Sequence, residues 1–117
     1  MRVALDHLWL EMAGVPLEQT LYGKPYEDQY RFVETLLAHL ATSGAASPIE
    51  RFYMVGDNPV TDIRGARAAG AHWRSILTRS GLWVGGENDD ADPADAVVDD
   101  VLGAVKWLLK QEGLVVK

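Results

Sequence analysis

Residues 51–70 read RFYMVGDNPVTDIRGARAAG, and the fold follows from how this stretch divides. Arg51 to Val55 is a short apolar run closed by Gly56, the pattern of a buried strand. Asn58 and Pro59 suit the N-cap and first position of a helix. The Asn side chain can accept an N–H left without an intrahelical partner, and Pro lacks the N–H that would be orphaned there. The predicted helix runs through Ile63 to Ala69 and stops at Gly70. Its small residues Gly65, Ala66 and Ala69 let it lie close on a sheet. Strand, tight turn and helix in this order are the start of a βαβ unit.

Working outward, the pattern repeats. Trp73 to Thr78 holds a second strand around Ser75-Ile76-Leu77. A polar loop from Gly85 to Pro93 leads to a third short strand, Ala96-Val97-Val98. A last helix follows, with Asp99 or Asp100 as N-cap, Val101, Val105 and Leu108 on one face, and Gly113 beyond its end. Upstream, Tyr30, Val33, Leu37 and Leu40 recur every three or four residues and predict a helix from Glu27 to about Thr42. Residues 43–48 are a loop by composition. Val3, Leu5, Leu8, Trp9 and Met12 give residues 1–14 a looser helical spacing, ended by Gly14 and Pro16. Strands alternating with helices predict an α/β fold, a short parallel sheet with helices on both faces.

The 117 residues suffice for one domain. No apolar run approaches the roughly 20 residues of a bilayer-spanning helix. The first residues lack the apolar stretch of a signal peptide, and Asp6 and Glu11 argue against a transit peptide. With no cysteine, disulfides, thiolate catalysis and cysteine-bound zinc are excluded. The net charge of −6 is local: seven of the seventeen acids and no base lie between Glu87 and Asp100, leaving ten acids against eleven bases elsewhere. Lacking a basic stripe, the chain is not expected to bind nucleic acid, whose affinity comes largely from neutralising phosphates.

In an open parallel sheet, ligands bind at the carboxyl ends of the strands. Asp57 lies just past such an end, and Asp62 lies in the first turn of the following helix, near the same rim. Two carboxylates there could hold a hard divalent cation such as Mg²⁺; each could equally be a turn or helix-start residue. Lys24, in Tyr22-Gly23-Lys24-Pro25, is held in a tight turn before a helix. Gly23 permits an unusual backbone angle, and Pro25 keeps the lysine out of a helix interior. The histidines His7, His39 and His72 are scattered, and the tryptophans are expected to pack, Trp83 with the option of lying near a ligand. Asp90-Ala91-Asp92 and its acidic neighbours are expected to form a solvated loop.

Taken in order, Gly23-Lys24-Pro25, Gly56-Asp57-Asn58, Asp62-Ile63, Gly65-Ala66 and Ala69-Gly70 resemble motifs three and four of the haloacid dehalogenase (HAD) superfamily. Gly81-Leu82-Trp83, Gly85-Gly86-Glu87-Asn88 and Ala94 to Val101 resemble its subfamily IIA branch, which includes the cat eye syndrome critical region protein 5 group. The resemblance implies a partial HAD-like, Rossmann-type three-layer sandwich. It implies that Asp57 binds Mg²⁺ directly and that Asp62 acts on the metal through water or orients the lysine. Lys24 would balance the charge of nucleophile and phosphoryl group, and Lys24 and Asn58 would face the substrate. A full-length member would be a Mg²⁺-dependent phosphatase acting through an aspartyl-phosphate on a small phosphorylated metabolite, in mitochondria or the cytoplasm.

The departures from the family pattern are as informative. Its nucleophilic Asp lies in an Asp-x-Asp motif after an N-terminal apolar strand, and this chain has only Asp90-Ala91-Asp92, after a polar loop and before Pro93. The Ser/Thr of motif two and the cap domain are missing as well. Residues 1–117 therefore read as the C-terminal part of a HAD-like core, inactive alone and with an exposed sheet edge open to self-association. The alternative is a non-catalytic pseudoenzyme or interaction module with the same fold. A receiver domain with Asp57 as phosphoacceptor would need an acidic pair after the first strand and a lysine after the last one, whereas the candidate lysine here, Lys24, precedes Asp57.

Overall fold

The computed structural model describes residues 2–42, 44 and 48–114. The chain runs α1 (Arg2–Ala13), α2 (Glu27–Thr42), β1 (Phe52–Gly56), a π-helical turn (Pro59–Ile63), α3 (Arg64–Ala69), β2 (Trp73–Thr78), β3 (Ala96–Val98) and α4 (Val101–Gln111). The three strands form one parallel sheet in the order β1-β2-β3. Phe52 lies opposite Trp73 and Gly56 opposite Leu77, so the carboxyl ends of β1 and β2 are level. The α/β architecture expected from the sequence is therefore present, and most of the loop expected at 43–48 lies outside the described residues.

Strand alternation sends Phe52 and Met54 to one face of the sheet and Tyr53 to the other. On the first face, α2 and α3 close a core of Tyr30, Ala66, Ala69 and Trp73, with Phe52, Met54 and Val33 packed against it. Tyr30 meets Trp73 edge-on at 4.9 Å between ring centroids, and Phe52 stacks on Trp73 at 4.9 Å. Each such ring pair adds about 0.5–1.5 kcal/mol beyond area burial. A second cluster, Ile63, Leu77 and Ala94 with Trp83 and Val97, lies toward the carboxyl ends of the strands. On the opposite face, α4 packs through buried Ala104, and Trp107 meets Tyr53 edge-on at 6.4 Å.

Helix ends follow the sequence signals. Asn58 caps the π-helical turn by accepting the Val60 N–H at 3.0 Å, with Pro59 next. Asp100, rather than Asp99, caps α4 by accepting the Gly103 N–H at 2.8 Å. Gly70 ends α3 at φ +123°, a region that disfavours side chains.

Three expectations are corrected. The face of α4 assigned to Val101, Val105 and Leu108 is not the packed one, since Val101 and Val105 are exposed. With Asp100 as cap, Ala104 meets the sheet instead, and Gly103 lies so close to Val98 that a side chain there would crowd it. Helix α1 forms where its spacing predicted, yet none of its residues is buried, and Leu5, Leu8, Trp9 and Met12 are exposed. It is tied on by Arg2 donating to the Tyr26 hydroxyl and Gln19 donating to Asp6. The result is an extended molecule, with a radius of gyration of 18.0 Å against about 13 Å for a compact chain of this size. Finally, the acidic stretch is not simply solvated. Asp92 is buried and takes a two-pronged pair from Arg64, closing to 2.7 Å, while Asp89 accepts the Ala91 and Asp92 N–H groups. Asp95 accepts from Ser75 and Arg74, and Asp99 pairs with Arg79. Acids that alternate with small residues read as solvent-facing, whereas here Asp92, Asp95 and Asp99 turn back onto a base or an N–H of the sheet. No helix among the described residues is long and apolar enough to cross a membrane.

Candidate functional site

The rim at the carboxyl end of β1 is built by two close approaches of side chain to backbone. Gly56 ends the strand, and a Cβ there would overlap the carboxylate of Asp62. The π-helical turn carries Asp62 back over this glycine. Its N–H donates to the Asn58 carbonyl at 2.8 Å, and its Oδ2 accepts the Asn58 N–H at 3.1 Å. The sequence predicted an ordinary helical start here; a π turn holds one extra residue per hydrogen bond, and such turns cluster at functional sites.

Asp62 is buried at 2 % exposure, and its Oδ1 accepts from the half-exposed Lys24 Nζ at 2.6 Å. Lys24 reaches it across 38 positions of sequence because Gly23, at φ +95°, turns the chain ahead of α2, where Tyr26 N–H bonds the Gly23 carbonyl at 2.9 Å. Buried carboxylate and ammonium are thus held in a charge-assisted bond, shorter and stronger than a neutral one. Tyr30 braces the pair from α2, its hydroxyl donating to the Asp62 carbonyl at 3.2 Å. Burial, then the nearby charge of Asp62, pushes the Tyr30 hydroxyl pKa up, which keeps it a donor.

Asp57 stands on the same rim and is held by a different segment. Its Oδ2 accepts the Leu82 N–H at 2.6 Å, and its carbonyl accepts the Trp83 N–H at 3.0 Å. Gly81 makes this possible, because a Cβ at that position would overlap the Asp57 carboxylate. Trp83 meets Asp57 through its backbone, and its ring packs against the Ile63, Leu77 and Ala94 cluster. Asn58 spends its side-chain oxygen on the helix cap. The structure thus joins Lys24 to Asp62 directly, and holds Asp57 one turn of chain away against residues 81–83.

The donor set bears on Mg²⁺. Both oxygens of Asp62 already accept, from Lys24 and from the Asn58 N–H. Asp57 has one oxygen in the Leu82 bond, and a carboxylate oxygen can take more than one partner. It fits as a single ligand to an ion that keeps several waters. Among the described residues, no group of three or more His, Asp or Glu is close enough to hold a metal. These residues fit part of a Mg²⁺ site and do not complete one.

The sequence reading missed three contributors. Tyr30 looked like one more apolar position of a helical stripe; that it is Tyr rather than Phe, and so brings a hydroxyl needing a partner, was the available signal. Gly81 and Leu82 lie in the loop after β2, and nothing in the chain order places them against Asp57.

Residues 21–104 match the HAD-hydrolase-like family. The chain belongs to that family. Among curated proteins it is similar to a cardiolipin synthase (CMP-forming)/mitochondrial hydrolase fusion protein of Schizosaccharomyces pombe, with 36% identity over 93% of this chain and 18% of that protein. It is also similar to a mitochondrial hydrolase of Saccharomyces cerevisiae, with 31% identity over 94% of this chain and 36% of that protein. The chain thus spans about a fifth to a third of the length of these relatives. All of Lys24, Asp57, Asp62, Gly56 and Gly81 fall within the HAD-hydrolase-like match.

Proposed function

We propose that this HAD-hydrolase-like chain is the lysine- and metal-bearing part of a Mg²⁺-dependent phosphatase of subfamily IIA, close to the cat eye syndrome critical region protein 5 group. The observation that carries the reading is the 2.6 Å pair between Lys24 and a buried Asp62, one turn of chain from Asp57 at the end of β1. Phosphoryl transfer is mostly positioning and charge stabilisation. Asp62 fixes the ammonium of Lys24 at the rim, where it can meet a phosphoryl oxygen. Gly56 and the Asn58 N–H hold Asp62 in that orientation, and Leu82 holds Asp57. Mg²⁺, when bound, supplies charge neutralisation on the phosphoryl group. The substrate in this reading is a small phosphorylated metabolite, and the similarity to mitochondrial hydrolases supports a mitochondrial location.

The sequence holds no Asp-x-Asp after an N-terminal apolar strand to supply the family's nucleophile, so residues 1–117 alone are inactive in this reading. A purified chain is expected to release no phosphate from p-nitrophenyl phosphate with Mg²⁺. A longer form that supplies an Asp-x-Asp strand is expected to release it, and to lose that activity with Asp57→Asn or Lys24→Met. Turnover by the 117-residue chain, or a longer form indifferent to both substitutions, would contradict the proposal. The absence of a three-carboxylate group among the described residues favours a second reading, a non-catalytic module with the same fold; an inactive longer form that folds and keeps the Lys24–Asp62 pair would select it.

A further inference from the structure

At the opposite ends of β1 and β2 from Asp57 lies a cavity of about 410 Å³, lined by Arg51, Tyr53, Arg74, Asp95, Trp107 and Gln111. From Arg51 to Asp57 the strand covers roughly 20 Å, so this cavity is separate from the rim described above. Its walls carry charge of both signs in fixed pairs. Arg74 Nη1 donates to Asp95 Oδ1 at 3.0 Å, and Arg51 Nη1 donates at 2.6 Å to Oε1 of Glu112, which lies outside the lining. Each acid is in turn held by neutral donors: Asp95 Oδ2 by the Ser75 N–H at 2.7 Å and the Ser75 hydroxyl, Glu112 by the Tyr53 hydroxyl. The charged groups of the lining are therefore each paired before any ligand arrives: Arg51 from just ahead of β1, Arg74 from β2 and Asp95 from the approach to β3.

We propose that this cavity binds a small zwitterion carrying a carboxylate and an ammonium, a molecule of α-amino-acid size. A guanidinium has five N–H donors in a rigid fork, and each of these ion pairs uses one, so both arginines retain donors for a carboxylate. Asp95, together with the carbonyl end of α4, where the helix dipole is negative, suits an ammonium. The Trp107 ring, set edge-on to Tyr53, adds an aromatic wall for a cation or an apolar side chain. A simple anion would have to lie against Asp95 and the helix C-terminus. A simple cation would have to lie against two guanidinium groups. Only a ligand with both charges meets each wall with its complement.

The test uses the 117-residue chain, with L-phenylalanine as probe and two analogues lacking one charge each, 3-phenylpropionate and phenethylamine. Binding is read from the indole N–H signal of Trp107 in a nitrogen–proton correlation spectrum, assigned with Trp107→Phe. L-phenylalanine is expected to move that signal saturably, with at least tenfold weaker binding of either analogue. Arg74→Met is expected to weaken L-phenylalanine at least tenfold while leaving the other indole signals in place. No shift at millimolar L-phenylalanine, equal binding of all three ligands, or tighter binding of either analogue would overturn the proposal. The analogue series decides the matter even if Arg74→Met unfolds the chain.

Discussion

Glu34 offers the sharpest test of how α2 is fastened to the sheet. One of its oxygens accepts from Trp73 Nε1 at 2.6 Å and meets His72 Nε2 at 2.7 Å, while Arg31 of the same helix reaches the other at 2.9 Å. Burial pushes its carboxyl up, but the hydrogen bonds from Trp73, His72 and Arg31 outweigh this and bring it from 4.5 down to about 2. At about 1.4 kcal/mol per pKa unit, the ionised form stabilises the fold by roughly 3 kcal/mol. The group is depressed in the folded state, so this contribution is complete above pH 4.5 and is lost as pH falls from there toward 2. Glu34→Gln removes the charge and keeps the shape. Urea unfolding followed by tryptophan fluorescence between pH 7 and 2.5 reads both proteins. The native chain is expected to lose about 2–3 kcal/mol more than the variant over the acid limb, and the variant to be weaker at pH 7 by about 1–3 kcal/mol. Parallel profiles with equal stability at pH 7 would refute the account of this cluster.

Three further outcomes follow from the geometry. Gly81→Ala puts a methyl group where the Asp57 carboxylate lies, and is expected to abolish divalent-ion effects at Asp57 while costing less than about 1 kcal/mol, Gly81 being exposed; calorimetric Mg²⁺ titration beside a melting curve checks both. Asp92→Asn breaks the pair with Arg64, which holds the Asp92 carboxyl below its ordinary range, and is expected to cost about 1.5–3 kcal/mol at pH 7, the difference shrinking as pH falls below the ordinary aspartate range. The free edge of β1 and the exposed apolar side chains of α1 predict concentration-dependent association; sedimentation showing a monomer at every concentration, with a sharp reversible thermal transition, would contradict this.

Much of the architecture was legible because local rules and tertiary packing agreed. Arg51 to Gly70 announced strand, cap and helix, and the caps at Asn58 and Asp100 are made by the side chains that the sequence signals named. The packed side of α4 was not legible, because Val101 and Val105 carry the stronger apolar signal while the sheet accepts the smaller Ala104. Asp92 defeated the reading for a different reason. An acidic run gives no sign of which carboxylate will find a base, and Arg64 lies 28 positions earlier. At the rim, Lys24 could be paired with Asp62 in advance only through the family resemblance, since 38 positions separate them. The hold of Leu82 on Asp57 depends on how the loop after β2 folds back, which no local pattern encodes.

The proposed function rests on divalent metal meeting the chain at Asp57 rather than at its abundant carboxylates elsewhere. Titration with Mn²⁺, a paramagnetic stand-in for Mg²⁺, read as broadening of backbone amide signals, tests this most directly. The account predicts that Asp57, Leu82 and Trp83 broaden first and that Asp57→Asn removes the effect. Broadening confined to Glu87–Asp100, unchanged in Asp57→Asn, would contradict it.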